Sequence, residues 1–175
     1  MIIWLNGTFG SGKTTTAKEL DQLLPDARIF DPELIGYMLG HVPKLPVVDD
    51  FQHWPPWRRG VVATATHLLD YLGGVLICPQ TVLREEYWNE LRDGFAAADV
   101  DVRHVVLHAD RETLVDRIEH DGVEAGASLW RVDHLDRYEA ALPWLRESAE
   151  VIDTTTTPAA SVAATIAGGL AAATD

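Results

Sequence analysis

The sequence predicts a single α/β domain, a parallel sheet with helices on both faces, and three observations predict it. Short apolar runs alternate with longer segments of helical period. The run Val75-Leu76-Ile77-Cys78 has no polar alternation, as expected of a strand covered on both sides. A glycine-rich turn closing on Lys13-Thr14 separates the first apolar run from the first helical segment.

Strands are expected at Ile2–Asn6, Arg28–Phe30, Val75–Pro79, His104–His108 and Val151–Asp153. Helices are expected at Lys13–Leu24, Pro32–Leu39, Pro56–Tyr71, Glu85–Ala98, Asp110–Asp121, Leu129–Leu142 and Ala159–Ala173. Period carries these assignments: Ala17, Leu20 and Leu24 share a stripe, as do Val62, Ala65, Leu69 and Leu72. Leu91 pairs with Phe95, and Leu114 with Ile118. In the alanine-rich tail, Val162, Ile166 and Leu170 fall at i, i+4 and i+8, an amphipathic helix packed on the domain rather than a membrane anchor. Two stretches read as irregular: Gly40 to Pro55, rich in proline, and Gly122 to Ser128, with no apolar stripe.

The 175 residues suit one domain spanning 1–175, and a chain this size buries roughly 70% of its unfolded surface. Hydrophobic residues make up 47%, and Cys78 is the only cysteine, so no disulfide framework exists and a reducing cytoplasm fits. The N-terminus has no basic region ahead of its apolar residues, so it does not read as a signal peptide. No apolar run reaches the ~18 residues of a membrane span. The net charge of −13 argues against a nucleic-acid partner, whose binding needs a cationic surface. An acidic protein can still hold a phosphorylated ligand if its few cations are gathered at one place; 11 are Arg and three are Lys.

Gly7-Thr8-Phe9-Gly10-Ser11-Gly12-Lys13-Thr14 matches G-x-x-x-x-G-K-[ST] without deviation. Residue frequencies give this pattern by chance in about 0.6% of chains this long. It lies between an expected strand and an expected helix, the context the motif requires. Glycines let successive backbone N–H groups turn inward as an anion nest, and the helix N-terminus adds its positive end. Lys13 would reach the β- and γ-phosphates of ATP, and the Thr14 hydroxyl would ligate Mg²⁺. Gly7, Phe9, Gly10, Ser11, Gly12, Lys13, Thr14 and Thr15 are therefore the expected nucleotide contacts. The rival dinucleotide fingerprint fails because Thr15 stands where its third glycine belongs.

Asp31 closes the second strand at the carboxyl edge of the sheet, where it would take the proton of an acceptor hydroxyl or simply cap the next helix. Glu33, on the first turn, is the second choice. The third strand ends Cys78-Pro79-Gln80-Thr81, without the acid that often holds Mg²⁺ in this class. The segment from about 40 to 59 mixes aromatic rings, carboxylates and two guanidinium groups, the composition of an acceptor pocket. Asp31, Asp50, Gln52, Trp57 and Arg58 are its expected contacts, although a loop whose tryptophans cap the core reads equally well. Arg117, Arg131 and Arg137 flank an expected lid at about 117–131, placed to meet phosphate charge or to face water. Trp4, Trp88 and Trp144 read as packing residues, Cys78 as a small buried hydrophobe, and His104 and His108 as strand histidines without ligand spacing.

These blocks resemble the tunicamycin-resistance ATP-binding proteins. The resemblance lies in Ile2 to Thr14, Phe30-Asp31-Pro32-Glu33 with Gly36, Asp50-Phe51-Gln52 with Pro56-Trp57-Arg58, and Val75 to Thr81. It continues in Glu112-Thr113-Leu114 with Arg117, Ser128-Leu129-Trp130 and Asp136-Arg137. The family is related to nucleoside, nucleotide and chloramphenicol kinases. The resemblance implies a three-layer P-loop NTPase fold with a five-stranded parallel sheet in order 2-3-1-4-5. It implies an ATP-dependent kinase of a small-molecule acceptor, conferring resistance to a nucleoside antibiotic by phosphorylating it. The chain is expected to be cytoplasmic, to use Mg²⁺, and to be a monomer or homodimer. Sequestration of the drug, or phosphorylation of an ordinary metabolite, are the alternatives.

Overall fold

The computed structural model describes residues 1–120 and 125–171, with only the backbone of 125–130, 133 and 171. Five strands, β1 (Ile2–Asn6), β2 (Ala27–Ile29), β3 (Val75–Pro79), β4 (Val102–His108) and β5 (Glu150–Asp153), pair in parallel in the order β2-β3-β1-β4-β5. That is the expected order 2-3-1-4-5. Between and after them run α1 (Lys13–Leu23), α2 (Glu33–Gly40), α3 (Pro55–Leu72), α4 (Glu85–Ala97), α5 (Arg111–Glu119), α6 (Ala125–Ser148) and α7 (Ala159–Ala171).

The pleat of β1 sorts the core. Ile2 and Trp4 face one side and pack with Leu76, Cys78 and the α3–α4 residues Trp57, Val61, Trp88 and Leu91. Ile3 and Leu5 face the other and pack with Ala17, Leu20, Val162 and Ile166 from α1 and α7. Trp4 meets Trp88 edge-on at 5.6 Å between ring centroids. The tail helix is thus docked, and among the described residues no helix is long and apolar enough to cross a membrane.

A third cluster joins Leu114 and Ile118 of α5 to Leu135, Tyr138, Ala141 and Leu145 of α6. It explains why α6 runs past its expected end; α6 also starts before its expected Leu129, so that 125–128 of the stretch expected to be irregular are helical. Proline normally ends a helix, so the sequence places the end at Leu142. Yet α6 runs through Pro143 to Ser148, because its apolar stripe continues to the fully buried Leu145. Within the segment expected to be irregular, Phe51–His53 form a 3-10 turn capped by Asp50, whose carboxylate accepts from Gln52 N at 2.9 Å.

Candidate active site

The phosphate-binding loop spans β1 to α1 and already has its curled form. Gly7, Gly10 and Gly12 take φ of 131°, 75° and 94°. A side chain would not fit at the first two: a Cβ on Gly7 would lie 2.5 Å from Leu107 O, and one on Gly10 3.0 Å from Leu114 O. The Lys13 ammonium donates to Gly7 O at 3.0 Å and Thr8 O at 2.8 Å. Burial pulls its pKa down to about 8, opposed by the Glu33 carboxylate and assisted by the Arg131 guanidinium.

Neighbouring strands hold this loop from three directions. The Asn6 amide oxygen accepts from Gly7 N and Val82 N, and its Nδ2 donates to Val82 O at 2.9 Å. Thr81, just past β3, donates to Gly7 O at 2.6 Å. Thr154, just past β5, stands 3.1 Å from Ser11 O. Behind Asn6 lies His104, whose Nε2 is 3.2 Å from Asn6 Nδ2 and whose Nδ1 is 3.3 Å from Ser148 O. Asn6 Nδ2 is a donor and Ser148 O an acceptor, so the ring is neutral and protonated on Nδ1. Burial lowers its pKa to about 4, against the pull of the Ser148 carbonyl.

Two cavities open over the sheet. The first, about 510 Å³, covers the phosphate loop and reaches Arg117, Arg131 and the turn at Thr157-Pro158. The second, about 620 Å³, is walled by Asp50, Phe51, Gln52, His53, Tyr87 and Arg137. Phe9, Glu33 and Thr81 line both. A nucleotide triphosphate fits the first on features of the loop itself. Gly7 and Gly10 of the cradle have no room for side chains, the Thr8 and Ser11 hydroxyls are buried without partners among the described residues, and Thr14 and Thr15 are exposed at the helix N-terminus.

The expected acceptor residues divide. Asp50 and Gln52 line the second cavity. Trp57 does not: it is fully buried, with its Nε1 donating to Pro32 O at 3.0 Å. Arg58 does not either. It is 6% exposed, pairs with Glu90 at 2.6 Å, donates to Gln52 O, and lies 4.1 Å under the Tyr87 ring. Both serve the frame rather than contact with an acceptor, because α3 turns those faces toward the sheet and α4. Asp31 lines neither cavity. Its carboxylate caps α2 by accepting from Glu33 N at 2.9 Å. Glu33 is the acid at the junction; burial and the Asp31 carboxylate hold its pKa above the ordinary value, against the opposing pull of Lys13, the Tyr37 hydroxyl and Arg131.

The lid arginines divide as well. Arg117 lines the first cavity but spends its guanidinium on the carbonyls of Gly10, Thr154 and Thr155, at 3.2, 2.7 and 3.2 Å. Arg131 stands 5.3 Å over the Phe9 ring in the first cavity. Arg137 is exposed and lines the second. Residues 121–124 of the expected lid lie outside the described residues. Sequence reasoning missed His53, Tyr87 and His134 as cavity residues. His53 at least falls inside the segment singled out by composition; nothing local marks Tyr87 or His134.

The sheet order, the loop and the paired cavities define a P-loop nucleotide-binding protein with the kinase-like fold. A family model described as an AAA domain matches residues 2–140, and the chain belongs to that family. Among solved structures it is similar to the tunicamycin resistance protein of Deinococcus radiodurans. The two are 26% identical with a TM-score of 0.72, over 97% of this chain and 95% of that one. It is also similar in fold to a sugar kinase from Janibacter, at 19% identity and a TM-score of 0.66, over 94% of this chain and 91% of that one. The APS kinase of Mycobacterium tuberculosis, in complex with AMPPNP and APS, gives 18% and 0.65, over 97% and 96%. No curated protein matches the chain.

Proposed function

We propose that this chain is an ATP-dependent phosphotransferase acting on a hydroxyl of a small molecule, with a nucleoside antibiotic of the tunicamycin type as acceptor. One observation carries the reading: a phosphate-holding cavity and an aromatic-walled cavity adjoin at Glu33, so a γ-phosphoryl group and an acceptor hydroxyl meet beside a carboxylate. The similarity to a tunicamycin resistance protein supports the choice of acceptor. A cytoplasmic location suits the single buried thiol and the need for ATP.

Lys13 and the loop amides hold the β- and γ-phosphates, and Arg131 adds a second cation beside them. Thr14 is the residue that would hold Mg²⁺, which supplies charge neutralisation when bound. The turn at Thr157-Pro158 and Arg117 enclose the base end. The acceptor oxygen attacks the γ-phosphorus, the bond to the β-phosphate oxygen breaks, ADP leaves, and the hydroxyl proton passes to a carboxylate. Glu33 is better placed for that proton than Asp31, which positions it from the helix cap.

Incubation with Mg-ATP and a panel of tunicamycin, nucleosides, gluconate and shikimate, read by mass spectrometry, tests the reading. A phosphorylated product should form with the wild-type chain and fall by on the order of 10²-fold or more in Glu33→Gln, with nucleotide affinity retained. Transfer undiminished in Glu33→Gln and in Asp31→Asn would remove both carboxylates from the chemistry. A second reading, ATP-dependent sequestration without transfer, draws on the residues just past β3, Gln80 and Thr81, which offer no acid for the metal. It predicts tight drug binding and no product. A metabolite as acceptor draws on the likeness in fold to sugar and APS kinases, and predicts the best kcat/KM with that metabolite.

A further inference from the structure

We propose that Tyr87 determines acceptor specificity in the second cavity: its hydroxyl oxygen is held as a hydrogen-bond acceptor, selecting molecules that bring an O–H or N–H donor to that wall. The inference rests on the reading of that cavity as the acceptor site. Tyr87 lies on α4, and its phenol lines the cavity together with His53, Asp49 and Arg84. His53 Nε2 is 3.2 Å from the Asp49 carboxylate, and His53 Nδ1 is 3.0 Å from the Tyr87 hydroxyl. A carboxylate only accepts, so in the neutral imidazole the proton sits on Nε2 and Nδ1 carries the lone pair. Nδ1 therefore takes the Tyr87 O–H, and the phenolic oxygen is left with its lone pairs. One of them faces Arg84 Nη1 at a long 3.4 Å; the other is available to a ligand.

The ring is also clamped. Arg58 lies under it at 4.1 Å and is itself fixed by both oxygens of Glu90, at 2.6 and 3.2 Å, and by Gln52 O. Arg84 stands over the ring at 5.3 Å, and His53 meets it edge-on at 5.8 Å. The same Arg58 holds the 3-10 turn through Gln52, whose Nε2 donates to Thr81 O at 2.9 Å. Thr81 in turn donates to Gly7 O. The phenol is thus set in a fixed position relative to the phosphate loop, as a group that reads an acceptor must be.

Two measurements on the whole 175-residue chain test this. Nitrogen-15 NMR of the His53 ring at about pH 8 should report the Nε2–H tautomer. The Nδ1–H tautomer would reverse the polarity and overturn the proposal. Calorimetry then uses tunicamycin, gluconate and shikimate as probes in the presence of Mg-AMPPNP. Tyr87→Phe keeps the ring and its cation contacts, and its Tm checks the fold. Its Kd for the probe that the wild type binds should rise about tenfold or more, with AMPPNP affinity changed less than about twofold. An unchanged Kd in Tyr87→Phe, or a wild-type chain that binds none of the three, overturns the assignment. Binding that depends on Tyr87 without any phosphorylated product would sink the transfer reading and leave the Tyr87 assignment standing.

Discussion

Acid should loosen this fold through His104, and its surroundings set the size of the effect. The ring is 7% exposed, stacked on Trp88 at 3.7 Å, and placed to accept from Asn6 and donate to Ser148 O. It stays neutral in the folded chain down to about 4, from an ordinary value of 6.5. The unfolded chain takes up a proton at this position below 6.5 while the folded chain does not. Stability is therefore complete above 6.5 and falls with pH from there to about 4. Linkage over that interval gives a loss of roughly 2.5 kcal/mol by about pH 4.5. Other groups titrate as well, so the comparison must be between variants. His104→Gln keeps an acceptor for Asn6 Nδ2 and cannot be protonated. Urea unfolding at about pH 7.5 and about pH 4.5 should show the wild type losing roughly 2–3 kcal/mol more than His104→Gln. If both chains lose the same amount, the buried neutral imidazole assigned here does not exist.

Three further outcomes follow from the site. Lys13→Ala should abolish measurable AMPPNP affinity by calorimetry and cut any transfer by on the order of 10²–10³-fold. Gly10→Ala forces a Cβ against Leu114 O at φ 75° and should lower stability by about 1–3 kcal/mol in urea unfolding, together with nucleotide affinity. The kcat/KM of transfer should be bell-shaped in pH. Its acid limb lies above the ordinary carboxylate range because Glu33 must be ionised, and its alkaline limb begins near 8 where Lys13 loses its proton. Glu33→Gln should remove the acid limb along with most of the rate.

Periodicity and one spaced motif made the frame legible in the sequence. The strands at Ile2–Asn6 and Val75–Pro79 begin and end where the apolar runs do, since a strand buried on both faces must be apolar throughout. The phosphate loop was legible because its chemistry is local, with backbone and one lysine within eight residues. The acceptor wall was not. Tyr87 and His53 lie 34 positions apart, and Arg58 and Glu90 lie 32 apart, so only the packing of α3 and the 3-10 turn before it on α4 brings them together. Composition alone cannot say whether an arginine in an aromatic stretch faces a ligand or a glutamate. The same holds for Arg117, whose three carbonyl partners come from two distant turns. Pro143 misled in the opposite sense, because burial of Leu145 outweighs one missing backbone hydrogen bond.

The two carbonyls held by Lys13 have a consequence for ligand selection. The Lys13 ammonium bridges Gly7 O and Thr8 O, so the loop carries its own internal counterweight. An arriving anion must compete for that cation instead of finding it idle, and must approach a chain of net charge −13. A chain of several phosphates would offer oxygens to that ammonium and to the loop amides at the same time, which offsets the two carbonyl contacts the lysine gives up.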